Sequence, residues 1–161
     1  AQTHQGAAID SADIVIRINS APLPASKSHG QRTDWIAMST PLARSVVKSR
    51  APEICLWMSS KRRRIPWRLA RKDGFFLYPK PDSLRLFEQL RTRPTTGLMI
   101  IDLIAGSKAA TIHLHGFDFF ASQSLSGNRT AAQVPHDFPS EKAFIDALIA
   151  ADPRIKLHPM D

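Results

Sequence analysis

The first half of the chain alternates short apolar runs with polar segments that contain proline, glycine and charged residues. The runs are rich in β-branched and aromatic side chains, which is typical of strands in a parallel sheet. The predicted strands cover residues 14–18, 35–38, 53–58 and 74–78. A short helix is predicted between the second and third strands, at residues 42–50. Strands that alternate with helical segments indicate an α/β fold.

The second half of the chain is dominated by helical patterns. Leu84, Phe87 and Leu90 recur at helical spacing, which predicts a helix with an apolar stripe that faces the core. A more apolar helix is predicted from Thr96 to Ala105. After it come a strand at residues 112–115 and a last helix from Ser140 to Ala150, with Pro153 closing it.

Residues 94–97 mark the start of the apolar helix. Pro94 disfavours helical geometry in the residue before it, and Thr95 or Thr96 can cap the first free amides. Gly97 lets another molecule approach the backbone closely. Since the amino end of a helix carries partial positive charge, and the strand that ends near Gly116 would open toward a crevice, this region is predicted to bind an anion.

Composition indicates one globular domain. The chain has 161 residues, of which 43% are hydrophobic and 22% are charged, and no apolar run approaches the roughly 20 residues that span a bilayer. Cys55 is the only cysteine, so no internal disulfide can form, and its apolar neighbours predict a buried, inert thiol. The chain starts at Ala1 without a recognisable leader, and we expect it to be part of a longer protein.

Positive charge is concentrated in one segment, here called the basic segment. This segment, residues 61–73, contains seven basic residues and one acidic residue, Asp73. Its formal charge is therefore +6, out of +8 for the whole chain. These residues are Lys61, Arg62, Arg63, Arg64, Arg68, Arg71 and Lys72. Such a cluster is usual on a solvated face that has no partner, and it also suits an anionic membrane surface or an acidic glycan acceptor. Nucleic acid is not expected, because Trp67 is the only aromatic residue among the charges.

Three motifs resemble those of the sialyltransferase family. Pro94-Thr95-Thr96-Gly97, an apolar helix, a strand and Gly116-Phe117 look like the family's small sialylmotif, with one residue more between the two glycines than in animal enzymes. The segment from Gly6 to Asp34 is similar to the second half of the large sialylmotif, through Gly6, Ile9, Asp10, Asp13, Val15, Ile16, Arg17, Asn19, Ala21, Pro22, Gly30, Arg32, Thr33 and Asp34. His136 and Glu141 have the spacing of the very small motif.

The resemblance implies a fold and an activity. The fold would be a Rossmann-like, mostly parallel sheet flanked by helices, a variant of the GT-A type, in one domain that lacks the family's first nucleotide-binding strand. The enzyme would transfer sialic acid, or a related nonulosonic acid such as Kdo, from its CMP-activated form to a glycan hydroxyl. Transfer would invert the anomeric carbon and would need neither a metal nor a cofactor.

The resemblance also assigns roles to residues. His136 would be the general base, and Glu141 would orient the loop that holds it. The nucleotide would be bound by Asn19, Thr95, Thr96, Gly97, Gly116 and Phe117. Arg129 would contact the phosphate, because residues 124–129 stand where the family usually has a phosphate-binding histidine. The small motif lacks the cysteine of animal enzymes, which points to a bacterial-type, cytoplasmic member, either free or peripheral at the inner membrane face.

Each of these residues also has an ordinary structural interpretation. Asn19 suits a turn, Glu141 suits the first turn of a helix, and His136 could be an exposed loop histidine. His113 and His115 are interpreted as sheet residues, since no pair of histidines has metal-ligand spacing with acidic support. Two other functions therefore stay open: a non-catalytic module that binds CMP or another nucleotide, and a protein that binds surfaces through the basic segment.

Overall fold

A computed structural model of the chain describes residues 4–117 and 136–158. The chain divides into two compact units, residues 1–80 and residues 81–161. The expectation of a single domain stays a prediction, and the two units are described in turn. Among the described residues, no helix is both long and apolar enough to cross a membrane.

The first unit is built on a four-stranded sheet. Its strands are β1 (Ile16–Ile18), β2 (Trp35–Met38), β3 (Ile54–Trp57) and β4 (Phe75–Leu77). All neighbours are parallel and the strands follow one another in chain order, with Ile36 opposite Cys55 in the β2–β3 register. The predicted α/β class with a parallel sheet is confirmed, and each observed strand lies within a predicted one.

Short helical segments connect these strands. They are α1 (Gly6–Asp10), α2 (Ser26–His29), α3 (Arg44–Arg50), a 3-10 turn at Arg62–Arg64 and α4 (Trp67–Ala70). The core of the unit contains Ile36, Met38, Cys55 and Trp57. Cys55 is fully buried, as predicted, and burial raises the pKa of its thiol. That change keeps the thiol protonated and unreactive at neutral pH.

Polar residues of the large-motif segment fasten the entry to β1 against the entry to β2. The Asp10 carboxylate accepts hydrogen bonds from the backbone amides of Gln31 and Arg32. The Arg17 guanidinium donates to the carbonyl oxygens of His29, at 2.8 Å, and Arg32, at 3.0 Å. Burial lowers the pKa of Arg17, with Asp10 acting in the opposite direction. These motif residues therefore stabilise the fold of the first unit, a role that could not be inferred from their polar character alone.

The described residues of the second unit form three helices and a two-stranded sheet. The helices are α5 (Lys80–Leu90), α6 (Thr96–Ala105) and α7 (Phe138–Ala151). The strands β5 (Ile112–His115) and β6 (Ile155–His158) pair in parallel, with His115 opposite His158. One core joins these elements, formed by Leu90, Leu98, Ile101, Ile112, Leu114, Ile145 and Ile155.

Three details of the second unit differ from the sequence predictions. The last helix begins two residues early, at Phe138, because Asp137 caps it by accepting from the Ser140 amide. Strand β6 was not predicted at all. On α5, Leu84 is 50% exposed and Phe87 is 46% exposed, so the predicted stripe is wrong at these positions. The buried residues of that helix are Leu86 and Leu90.

Candidate functional site

The first turn of α6 is held by its capping residue, Thr95. The Thr95 hydroxyl oxygen accepts a hydrogen bond from the Leu98 amide at 3.1 Å. The amides of Thr96 and Gly97 come next in the helix, at positions whose N–H groups have no partner within a helix. With the helix dipole, these two amides can bind a negatively charged group. The predicted start of this helix is therefore confirmed.

Glu141 binds the same capping residue from α7. Its two carboxylate oxygens accept from the Thr95 amide at 2.7 Å and from the Thr95 hydroxyl at 2.6 Å. The side chain is only 3% exposed. Burial raises the pKa of Glu141, and the hydrogen bonds from Thr95 and the nearby His136 act against this shift. Glu141 thus ties the first turn of α7 to the first turn of α6.

His136 lies just before α7, beside the segment that leads into α6. Its Nδ1 is 2.7 Å from the backbone oxygen of Arg93. Because a carbonyl oxygen can only accept, the hydrogen of this bond belongs to Nδ1, and in the neutral ring Nε2 keeps its lone pair. Nε2, on the other side of the same ring, is therefore the atom that can accept a proton. That is the tautomer a general base requires.

Gly97 and Phe117 are brought together through a contact within the chain, and Gly116 directly precedes Phe117. A methyl group at Gly97 would lie 3.1 Å from the ring of Phe117, so the aromatic ring itself uses the close approach that Gly97 permits. Gly116 has φ +74° and open space around its Cα, so it is suited to the backbone geometry that turns the chain after β5. Phe117 is positioned against the amino end of α6.

Asn19 belongs to the first unit and follows β1. It adopts a left-handed conformation with φ 51°, which asparagine tolerates better than most residues. Its side-chain oxygen accepts from the Ser39 amide at 3.3 Å, and its own carbonyl accepts from Arg50. Asn19 is thus a turn residue in this structure, and its role as a nucleotide ligand stays a prediction. Arg129 lies outside the described residues.

The structure also assembles a cluster that the sequence analysis missed. His113 and His115 on β5 meet His158 on β6, with ring centroids of His115 and His158 4.2 Å apart. The sequence contained a signal for this pairing, because the two strands read Ile-His-Leu-His and Ile-Lys-Leu-His. Spacing along one strand could not reveal it, since the third histidine comes from the other strand.

Glu141 and the capping residue of α6 form one hydrogen-bonded group within the second unit, and His136 is close enough to Glu141 to affect its pKa. This region offers backbone donors for an anion, an imidazole nitrogen that can accept a proton and a buried carboxylate that fixes the helix start. None of these features specifies a nucleotide or a sugar by itself. An anion site and a proton acceptor are the two elements that displacement of a phosphate leaving group by an alcohol needs.

The chain is similar to known proteins in part of its sequence and in its fold. Residues 1–65 match the model of glycosyltransferase family 29 (sialyltransferase). A search of curated proteins found no match. Among solved structures, the fold is similar to that of a mammalian sialyltransferase crystallised in complex with Gal-beta-1-3GalNAc-ortho-nitrophenol, with a TM-score of 0.61 and 17% identity. The similarity covers 96% of this chain and 63% of that chain.

The family match includes the large-motif segment but none of the residues at the start of α6. The roles of Thr95, Glu141 and His136 therefore stay predictions, supported by the geometry of the second unit. The resemblance to the sialyltransferase family itself is confirmed: residues 1–65 carry the family's sequence pattern, and nearly the whole chain shares a sialyltransferase fold.

Proposed function

We propose that this chain acts in glycosyl transfer, moving sialic acid or a related nonulosonic acid such as Kdo from its CMP-activated form to a glycan hydroxyl. The family match and the fold support glycosyl transfer in general. The single observation that supports the specific mechanism is the orientation of His136, whose Nδ1 donates to Arg93 and whose Nε2 is left as an acceptor.

In the proposed reaction the acceptor hydroxyl attacks the anomeric carbon of the donor sugar. The bond from that carbon to the phosphate oxygen breaks, and CMP leaves with the electron pair. The hydroxyl proton passes to Nε2 of His136. Direct displacement of this kind inverts the anomeric carbon. No metal or cofactor takes part in the proposed step.

Negative charge grows on the phosphate as CMP leaves. The Thr96 and Gly97 amides at the start of α6 are the proposed donors to it, with Phe117 and Gly116 at the border of the cytidine pocket. Preorganised donors of this type stabilise developing charge without reorganising during the reaction. Glu141 is a positioning residue, because its hydrogen bonds hold Thr95 and hence the first turn of α6.

Replacement of His136 by alanine tests the mechanism. We expect transfer from CMP-sialic acid to a Gal-beta-1-3GalNAc glycoside to fall by roughly 10²- to 10⁴-fold, the usual contribution of a general base. Binding of CMP, measured by calorimetry, should change little. His4→Ala is the matched control, since His4 is exposed and lies in the other unit. Undiminished turnover by the His136 variant would remove this residue from the mechanism.

The donor class needs its own measurement. Thermal stabilisation by CMP should exceed stabilisation by UMP, because a ligand that binds only the folded chain raises its stability by mass action. Equal stabilisation by both would contradict the assignment of a CMP donor. Stabilisation by CMP with no transfer or hydrolysis of CMP-sugars would instead favour a non-catalytic nucleotide-binding module.

The basic segment is proposed to contact an acidic glycan acceptor or the anionic inner face of a membrane. All its cations except Lys72 are exposed, and Trp67 beside them is 71% exposed with the Arg71 guanidinium 5.3 Å from its ring centroid. Lys72 instead donates to the carbonyl oxygens of Pro52 and Glu53. An exposed tryptophan among exposed cations suits an interface that is both anionic and partly apolar.

A further inference from the structure

Three histidines share one face of the small sheet in the second unit. His113 and His115 are two residues apart on β5, so their side chains point to the same side of the strand. Ile112 and Leu114 alternate with the two histidines, point the other way and are buried in the core. His158 is the register partner of His115 on β6, which brings the third imidazole to the same side.

The imidazole nitrogens are close enough to share one ion. One ligand nitrogen from each ring can be chosen so that all three lie within 4.8 Å of one another. Nδ1 of His113 is 2.8 Å from Nε2 of His158. The three rings are stacked, with interplanar angles of 20°, 24° and 5°.

A rearrangement of the three imidazole rings separates this cluster from a metal site. Zinc–imidazole bonds of about 2.0–2.1 Å place tetrahedral ligand nitrogens about 3.4 Å apart. The His113–His158 pair would therefore open by roughly half an ångström, a pair at the 4.8 Å limit would close by about 1.4 Å, and rotation about χ2 would turn the lone pairs inward. The χ2 torsion of histidine is broad, so such rotations cost little.

We propose that His113, His115 and His158 bind a divalent transition metal ion of the zinc class. Neutral imidazole suits zinc, copper and nickel, whereas magnesium and calcium prefer oxygen ligands. Three protein nitrogens leave the fourth tetrahedral position for water. The ion ties the carboxyl end of β5 to that of β6. This proposal does not depend on the proposed glycosyl transfer.

The positive charge of Lys156, near the three histidines, should weaken binding of a metal ion, so a change of this residue provides a control. Lys156 is opposite His113 in the strand register and lies on the same face of β6 as His158. Its ammonium group repels a bound cation. Lys156→Gln removes this repulsion and leaves all three imidazoles in place, so it should strengthen binding of the ion.

The experiment is a titration of the untagged, metal-free chain with Zn²⁺, monitored by competition with a chromophoric chelator. The wild type should bind one equivalent, and Co²⁺ should give the visible absorption of a tetrahedral complex. His115→Ala and His158→Ala should each weaken Zn²⁺ binding by more than the roughly 10- to 100-fold that loss of an outer-shell partner costs. His4→Ala and His29→Ala are matched controls that should leave binding unchanged.

Folding of each variant is checked by circular dichroism without metal, and His115→Gln replaces the alanine variant if the latter does not fold. Hydrogen exchange supplies a second measurement on the wild type, since Zn²⁺ should slow exchange of the Leu114 and Leu157 amides. Wild-type affinity equal to that of the His115 and His158 variants would overturn the proposal and leave a cluster of hydrogen-bonded imidazoles. Weaker binding by Lys156→Gln would also contradict it.

Discussion

At Glu141, burial and hydrogen bonding have opposite effects on the pKa of the carboxyl group. Water is almost excluded from its carboxyl group, which favours the neutral form, while two donors from Thr95 favour the charged form. Burial is the larger effect, so the pKa of Glu141 is raised. The contribution of this carboxyl group to stability should therefore depend on pH, unlike that of an exposed glutamate in the first turn of a helix.

The raised pKa of Glu141 predicts a particular pH dependence. The folded chain holds the proton at pH values where the unfolded chain has released it, so the contribution is complete below the ordinary glutamate pKa of 4.5 and is lost as pH rises through the raised value. The free energy of unfolding of the wild type, relative to Glu141→Gln, should therefore fall over this window. Urea denaturation at several pH values measures it, and a difference that rises with pH would contradict the assignment.

A second prediction at the residue scale concerns Gly97 and Phe117. Alanine is a better helix former than glycine by up to about 1 kcal/mol, but its methyl group would lie 3.1 Å from the Phe117 ring. Gly97→Ala should thus be less favourable with Phe117 present than in a Phe117→Leu background. A double-mutant cycle in urea should give a coupling energy of about 0.5–1 kcal/mol. A coupling energy of zero would mean that the ring moves aside freely.

At the scale of elements, strong local signals placed α6 correctly, and the lack of such signals left β6 unpredicted. The helix runs from Thr96 to Ala105, as predicted, because proline, a capping threonine and a continuous apolar stretch act on adjacent residues. Strand β6 escaped prediction because it has four residues and follows Pro153 closely. Its stability comes from pairing with β5, more than 40 residues earlier in the chain, which no local pattern reports.

The side chain of Thr95, which joins α6 to α7, should have a large effect on the free energy of unfolding. Thr95→Ala removes the cap of α6 and leaves one buried oxygen of Glu141 without its hydroxyl donor. Loss of the cap and of the buried hydrogen bond should together lower the free energy of unfolding by about 2–4 kcal/mol. Thr95→Ser keeps both hydrogen bonds and is the matched control, with an expected loss of about 1 kcal/mol or less. Similar losses in both variants would assign the effect to the methyl group instead.

At the scale of the whole molecule, charge is the dominant feature. The net formal charge is +8, and the basic segment holds most of the excess. Exposed charges act over about 8 Å at physiological ionic strength, so their effect on a partner should weaken steeply with salt. Net charge of this kind is an argument about association and not about the fold.

Neutralisation of three exposed cations tests the proposed contact. Arg63, Arg64 and Arg68 changed together to glutamine should weaken binding to phosphatidylserine vesicles by roughly 100-fold, since each basic residue near an anionic surface contributes about 1 kcal/mol. Lys27, Lys48 and Arg44 changed together to glutamine are the matched control, because they are exposed and belong to the same unit. An equal loss in both variants would show that net charge, not the basic segment, drives binding.

The α/β class, the parallel pairing and the start of α6 follow from local sequence patterns alone. Alternation of short apolar runs, capping residues and turn residues all act between near neighbours, so they can be identified without tertiary structure. Which side chains meet depends instead on the packing of the folded chain. Glu141 meets Thr95 across 46 positions and His158 meets His113 across 45. Such contacts depend on how helices and strands pack, and packing is a property of the folded chain, which is why the carboxylate junction and the histidine cluster became visible only there.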